Sequence, residues 1–288
     1  MDKIAKDIDK LDSIEFDIGM FSNYYKESKE VRRIFEKAYD IAISKTDRAT
    51  YQAMEAFVHN LNTMHSRARA QVPFSSINFG TDTSPEGRMV MKNYLLSVDA
   101  GLGKNETPIF PISIFKVKEG VNYNPGDPNY DLFKMSCKVS AKRLFPNFSF
   151  MDSPFNKQYY KGDYNTEVCY MGCRTRVIGN VVDPNKAVTP GRGNLSFTSI
   201  NLPRLGINHG IVKNDKPDFD GFFKDLEELM DTVKDQLLER FEIQCNKRSY
   251  NFPFLLEQGV WIDSEKLKPT DRLRKVLKHG TLSIGFIG

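Results

Sequence analysis

The sequence of 288 residues lacks the features that mark membrane-spanning and secreted proteins. No apolar run reaches the roughly eighteen residues that a membrane-spanning helix needs. The first ten residues, MDKIAKDIDK, alternate in charge sign and contain no apolar signal core, so we do not expect secretion. Four cysteines are too few for a disulfide framework in a chain of this length. We therefore expect a cytoplasmic protein with reduced thiols.

The chain also has few histidines and only a small net charge. The four histidines are dispersed, and the closest two, His59 and His65, are six residues apart and do not share a helix face. A histidine-based metal site is therefore not expected. The net charge of +4 suits anionic small molecules but requires neither a nucleic acid nor a membrane as partner, and we expect neither.

The first seventy residues contain apolar positions at helical spacing, which predicts three helices. The positions are Ile4, Ile8 and Leu11; Val31, Ile34, Phe35 and Ala38; and Met54, Phe57, Val58, Leu61 and Met64.

Beyond Gln71, strand-like and helix-like segments alternate. We expect strands near residues 73–79, 108–117, 196–205 and 281–287, and helices near 84–98, 127–145 and 222–243. The first of these helices has Thr83 or Ser84 as its N-cap and Pro85 at its first position. This alternation predicts an α/β fold with a parallel sheet covered by helices.

Residues 148–195 break the alternation, because they are rich in Asn, Asp, Gly, Pro and Tyr. A loop this long inside a compact domain is uncommon and is usually functional. It contains CYMGCRTRV, in which Cys173 lies between a glycine and an arginine. Nearby cations favour the thiolate, so Cys173 is either a reactive thiol or an incidental loop cysteine. A thiol oxidoreductase using Cys169 and Cys173 is disfavoured, because the spacing is Cys-x-x-x-Cys.

Three other features favour ordinary structural roles. GLGK, at residues 101–104, lacks the glycine spacing and the following Ser or Thr of a phosphate loop, and predicts a plain turn. Cys137 falls within an apolar helical pattern and is predicted to be a packed core thiol. Cys245 follows the long helix and is also expected to pack.

Seven blocks of the sequence, in this order, resemble the catalytic domain of the anaerobic (class III) ribonucleoside-triphosphate reductases. The resemblance covers roughly residues 50–288. The blocks are NLNTMHSRARAQVPFSSINFGTDTSPEGR, GLGKNETPIFPISIFKVKEG, GDPNYDLF, SAKRLFPNF, YMGCRTRV, GRGNLSFTSINLPR and GTLSIGFIG.

The resemblance implies part of a ten-stranded α/β barrel of the ribonucleotide reductase and glycyl-radical enzyme type, with an N-terminal helical segment. Residues 1–288 would form a single incomplete catalytic barrel domain. Within it, residues 1–70 would be helical and a candidate dimer contact, and 71–288 would supply strands, helices and a finger loop.

The resemblance also implies site residues and partners. Cys173 would become a thiyl radical that removes the 3′ hydrogen of a ribonucleoside triphosphate, while Thr175 and Asn194 would bind the substrate. Cys169 falls where a small residue is expected, so its place beside Cys173 would be incidental. The implied partners are formate as reductant, a radical-SAM activating enzyme, and a second copy of the chain or a complementing fragment.

Several parts of the resembled family have no counterpart in this sequence. These are the effector-binding cone, the early strand with a partner cysteine, the glycyl-radical loop and the four-cysteine zinc site. We therefore expect a fragment that binds no cofactor itself and is inactive alone. The alternative is a catalytically inactive remnant that binds nucleotide or reductase subunits.

Overall fold

The computed structural model describes residues 29–64, 72–172, 175–211, 213, 215–253, 256 and 259–288. These residues form two compact units. The first contains the described residues up to Gln158 together with Gly172 and Thr175, and the second contains Tyr159–Met171 and the described residues from Arg176 onward. Within this described part of the chain, no helix is both long and apolar enough to cross a membrane.

The N-terminal helix α1, Lys29–Thr63, is continuous. The sequence predicted two helices here, and that prediction was wrong, because no glycine or proline interrupts the polar stretch between them. Instead, the Thr46 hydroxyl donates to Ala42 O (2.9 Å) and the Thr50 hydroxyl donates to Thr46 O (2.8 Å), within the helix. The helix predicted around Ile4, Ile8 and Leu11 lies outside the described residues.

The first unit contains a parallel sheet of three strands in the order β1-β2-β3. The strands are β1 (Ser76–Phe79), β2 (Ile112–Val117) and β3 (Asn147–Phe150). Helix α2 (Pro85–Ala100) connects β1 to β2, and α3 (Tyr130–Arg143) connects β2 to β3. The predicted parallel pairing of the first two strands is confirmed. Strand β3 was not predicted, because only four residues separate Pro146 from the turn that follows.

The predicted start of α2 is also confirmed. Ser84 is the N-cap, its hydroxyl accepts a hydrogen bond from Gly87 N (3.1 Å), and Pro85 occupies the first turn. Proline is favoured there because its missing N–H would have no partner inside the helix.

The core of the first unit surrounds β2, all six of whose residues are buried. The Phe115 ring is fully buried and lies 5.4 Å from Phe79 and 6.1 Å from both Phe133 and Phe148, measured between ring centroids. A second cluster joins α1, α2 and α3 through Val58, Tyr94, Leu95, Val98 and Val139. A strand covered on both faces is typical of parallel sheets.

Cys137 is exposed, so the prediction of a packed core thiol was wrong. The buried face of α3 is formed by Leu132, Ser136, Val139 and Arg143, and Cys137 points away from that face. The GLGK turn is confirmed as a plain turn. Gly101, with φ of 79°, ends α2, and Leu102 N donates to Glu106 O (2.9 Å) across the turn.

The second unit contains a parallel pair of strands and shorter elements before them. In chain order after β3, the α-helices and strands of the described residues are α4 (Pro154–Lys157), β4 (Cys169–Met171), β5 (Thr175–Val177), β6 (Asn194–Asn201), α5 (Leu202–His209), α6 (Phe219–Cys245), α7 (Arg274–Leu277) and β7 (Thr281–Ile287). Of these, α4 belongs to the first unit, and Thr175 of β5 does as well.

Strands β6 and β7 pair in parallel, with Asn194 opposite Thr281 and Asn201 opposite Ile287. Helices α5 and α6 pack on β6 in a cluster of Ile200, Leu205, Val233 and Leu237. Residues 202–205 were predicted as strand but are helical. Asn201 caps α5 by accepting from Arg204 N (3.1 Å), and Pro203 in the first turn suits a helix start. Cys245 is fully buried at the end of α6, which confirms its packing role.

Candidate functional site

The predicted catalytic residue, Cys173, lies outside the described residues, but the strands on either side of it are described. β4 and β5 pair in a two-stranded sheet, and residues 172–174 connect them. Gly172 has a φ of 61°, a conformation that favours glycine, and its N–H donates to Ser76 Oγ (3.0 Å) inside the first unit. The described strands on either side of Cys173 are therefore paired with each other, and we call residues 169–177 the Cys173 loop.

The two predicted substrate residues are exposed, and each begins a strand. Thr175 is the first residue of β5 and belongs to the first unit, whereas Asn194 is the first residue of β6 and belongs to the second. With its amide oriented to suit its neighbours, Asn194 Nδ2 donates to Thr281 O (2.8 Å) and to Ser196 O (3.1 Å). The Asn194 side chain thus bridges β6 and β7 at their first residues. Substrate binding by Thr175 and Asn194 stays a prediction.

We call residues 159–168, which precede the Cys173 loop, the outgoing limb, and residues 178–193, which follow it, the return limb. Thr189 joins the two limbs. Thr189 is buried; its N–H donates to Asn165 O (2.8 Å) and its hydroxyl donates to Glu167 O (2.6 Å). The same hydroxyl lies 3.3 Å from Cys169 Sγ. Cys169 therefore contacts the same hydroxyl that joins the two limbs.

A group of polar side chains holds the return limb to the residues that precede β7. Asn180 Nδ2 lies 2.9 Å from His279 Nδ1, and both side chains are buried. Arg192 Nε donates to His279 O (2.8 Å), and its Nη1 donates to Gly179 O. We call Asn180, Arg192 and His279 the limb anchor. Reasoning from the sequence missed it, because an asparagine, an arginine and an isolated histidine far apart in the chain carry no signal of their contact.

The charges around the limb anchor favour a neutral imidazole. Burial lowers the pKa of His279, and the cations of Lys278, Lys186 and Arg192 lower it further, against an opposing effect of Asp263. The carboxyl group of Asp263 has its pKa lowered to about 2 by hydrogen bonds from Lys186 and then Lys266. Burial also lowers the pKa of the Arg192 guanidinium.

A second histidine of the same unit has the opposite environment. His209 Nε2 lies 2.8 Å from Asp225 Oδ2, and its Nδ1 lies 3.5 Å from Asp218 Oδ2. The hydrogen bond with Asp225 raises the pKa of His209, and Asp218 adds to the effect. Asp218 also caps α6 by accepting a hydrogen bond from Gly221 N (2.9 Å). The contacts of His209 with Asp218 and Asp225 therefore join the end of α5 to the start of α6.

No set of three or more His, Cys, Asp or Glu side chains in the described ranges is arranged to hold a metal ion. The first unit has a groove of about 710 Å³ between α1, α2 and α3, and four of its charged groups form two ion pairs. Arg88 Nη2 contacts Asp131 Oδ2 (2.8 Å), and Lys92 Nζ contacts Asp47 Oδ1 (3.5 Å).

Comparison with known proteins gives one consistent result. The sequence model of the family described as anaerobic ribonucleoside-triphosphate reductase matches residues 12–288. The relative of that name from Enterobacteria phage T4 is 32% identical over 256 residues, which are 87% of this chain and 40% of the relative. Those from Salmonella typhimurium and Escherichia coli are each 30% identical over 250 residues, or 86% of this chain and 33% of the relative. The matched part of the chain thus spans 33–40% of the length of these relatives.

Proposed function

The chain belongs to the anaerobic ribonucleoside-triphosphate reductase family, and we propose that it supplies the central part of the catalytic domain of such an enzyme. The observation that carries this proposal is the match over residues 12–288, which includes the Cys173 loop. The parallel pairings β1-β2-β3 and β6-β7 are compatible with parts of a ten-stranded α/β barrel. We propose that both compact units belong to that one incomplete barrel domain.

Cys173 is the proposed hydrogen-abstracting residue. Its thiyl radical takes the 3′ hydrogen atom of a ribonucleoside triphosphate, which forms the thiol and leaves a radical on the sugar. The 2′ hydroxyl then leaves as water after taking up a proton. Water loss with release of the 3′ hydroxyl proton leaves a 3′ ketone and a radical on the 2′ carbon. Formate is oxidised to carbon dioxide: its hydrogen atom completes the 2′ carbon, and its remaining electron, with a proton, converts the ketone to the 3′ radical. The Cys173 thiol then returns the hydrogen atom to the 3′ carbon, which restores the thiyl radical. Thr175 and Asn194 are proposed to hold the substrate.

The radical on Cys173 needs a source outside the residues assigned here. A glycyl radical, installed by a radical-SAM activating enzyme, would supply it when present, and the resembled family also has a structural zinc. This chain has no Cys-x-x-Cys pair, so its residues do not fit that zinc site. We propose a second copy of the chain, with residues 1–70 in the contact, or a complementing polypeptide as the partner, in the cytoplasm.

The second candidate is an inactive remnant that binds nucleotide or reductase subunits without reducing anything. The match to only 33–40% of the relatives' length is compatible with both candidates.

A reconstitution experiment separates the two candidates. The purified chain is incubated anaerobically with formate, a ribonucleoside triphosphate and an activating enzyme, with and without the glycyl-radical section of a relative as a separate polypeptide. We expect deoxyribonucleotide only in the complemented mixture, and none from Cys173→Ala or Cys173→Ser.

The control for this experiment is Cys169→Ala, which removes the neighbouring thiol and should retain turnover. Turnover by the complemented Cys173→Ala chain would show that the wrong sulfur was chosen. Nucleotide binding without turnover in any mixture would support the remnant.

A further inference from the structure

We propose that His279 is a positioning residue, which holds the return limb of the Cys173 loop through Asn180 and Arg192. The proposal deepens the proposed function of Cys173 and rests on it for its catalytic meaning. The contacts themselves belong to this chain and can be tested without turnover.

The hydrogen bonds of Asn180 fix the tautomer of His279. Asn180 Oδ1 accepts from the N–H groups of Val182 and Asp183, both at 3.2 Å, and Nδ2 donates to Lys186 O (3.1 Å). These three backbone contacts set which end of the amide faces the imidazole. The remaining Nδ2 hydrogen points to His279 Nδ1 at 2.9 Å, so Nδ1 accepts and the ring proton lies on Nε2.

The main chain of His279 holds the same limb through Arg192. Arg192 Nε donates to His279 O (2.8 Å), while Nη1 reaches the carbonyl oxygens of Gly179 and Val188, the latter at 3.3 Å. Gly179 and Asn180 follow β5 by two and three residues. A shift of the limb anchor would therefore be transmitted to β5, the second strand of the Cys173 loop.

The anchor requires the neutral ring. Protonation would place a hydrogen on Nδ1, against the donor group of Asn180, and would add a charge among Lys186, Arg192 and Lys278. Among the described residues that affect the pKa of His279, Asp263, at 3.8 Å from Nε2, is the one that would oppose that repulsion. The imidazole is about 1% exposed, so water cannot replace the lost contact.

Two substitutions of His279 distinguish positioning from mere packing. In His279→Asn, the amide oxygen takes the place of Nδ1 and can still accept from Asn180, whereas in His279→Gln the amide is one bond too far. In the reconstituted enzyme, we expect His279→Gln to lower kcat by about tenfold or more with little change in the nucleotide KM, because loop misplacement affects the reacting geometry. His279→Asn should restore most of the rate.

A readout independent of activity uses alkylation of Cys173 in the chain alone, followed by peptide mass spectrometry. Loosening the return limb should change the labelling rate of Cys173 by about threefold or more in His279→Gln. His279→Asn and the distant control His209→Gln should match the wild type. If wild-type turnover is never reconstituted, the proposed function fails, but this labelling pattern still decides on His279.

Asn180→Asp provides a second variant for the case in which His279→Gln does not fold. It keeps Oδ1 and replaces the donor with a carboxylate, which should raise the pKa of His279 and move a proton onto Nδ1. Nitrogen-15 NMR of the imidazoles reports both changes. A wild-type His279 that is protonated at Nδ1 at pH 7, or equal labelling in His279→Gln and His279→Asn, would overturn the proposal.

Discussion

The two compact units are stabilised by different kinds of contact. In the first unit, β2 is buried along its whole length and Phe115 lies among three other aromatic rings. In the second unit, β6 and β7 leave Phe197 and Phe286 more than half exposed, and the return limb is held by the polar limb anchor. An apolar core is insensitive to protonation, whereas a buried polar network fixes one geometry and fails when a partner changes its charge.

The largest expected effect is the loss of an aromatic ring from the core of the first unit. Phe115→Ala should lower the free energy of unfolding by about 3–5 kcal/mol, because the ring is fully buried. Phe197→Ala, on the exposed face of β6, should cost less than about 0.5 kcal/mol. Urea unfolding of the two variants checks the contrast, and equal losses would contradict the comparison.

A smaller loss of folding stability is expected from substitutions in the apolar cluster of the second unit. Ile200 is 4% exposed and packs with Leu205, Val233 and Leu237. Ile200→Ala should cost about 2–3 kcal/mol. Ile284→Ala, on the partly exposed strand β7, is the matched control and should cost less than half as much. If Ile284→Ala were the more damaging substitution, β7 would have to be covered in solution.

The exposed face of β6 and β7 should also affect association. Exposed apolar strands recruit other chains, so the purified chain should be oligomeric or prone to aggregation, with faster amide exchange in β7 than in β2. Phe286→Lys should shift the chain toward monomer, since charge on such a strand opposes pairing. Light scattering measures both forms. A monodisperse wild-type monomer would show that this face needs no cover.

The smallest expected effects concern pH, and the two histidines of the second unit should act with opposite signs. The folded pKa of His279 is lowered, so its contribution to stability is complete above about pH 6.5 and is lost as the pH falls below that value. The folded pKa of His209 is raised, so its contribution is present below about pH 6.5 and is lost as the pH rises through the folded pKa.

The free energy of unfolding, measured between pH 5 and pH 8 for the wild type, His279→Asn and His209→Gln, tests these two opposite pH dependences. Each histidine variant should remove the pH dependence of the free energy of unfolding that its histidine contributes, and Phe115→Ala should remove neither contribution. A variant slope of the opposite sign would contradict the assigned environment of that histidine.

Local signals made much of the fold predictable. Ser84 and Pro85 mark the start of α2 by their own chemistry, and the apolar run of β2 needs no knowledge of its neighbours. Strand β3 and helix α5 were missed because the first is short and the second has an apolar pattern that also suits a strand.

The candidate site was only partly predictable. Cys173, Thr175 and Asn194 followed from the resemblance to a family, not from spacing or charge. The limb anchor was missed because Asn180 and His279 lie 99 residues apart. Burial of a polar side chain depends on tertiary contacts that residue type alone does not determine.

The pairing of β6 with β7 has a consequence for the order of synthesis. Asn194 pairs with Thr281, 87 residues later, so a ribosome adding roughly 5–20 residues per second completes β7 about 4–17 s after β6. Helix α6 emerges within that interval and can cover Ile200, but the β7 side of β6 stays open throughout. Translation speed between the two strands therefore sets how long a nascent chain exposes this edge to chaperones and to neighbouring polysomes.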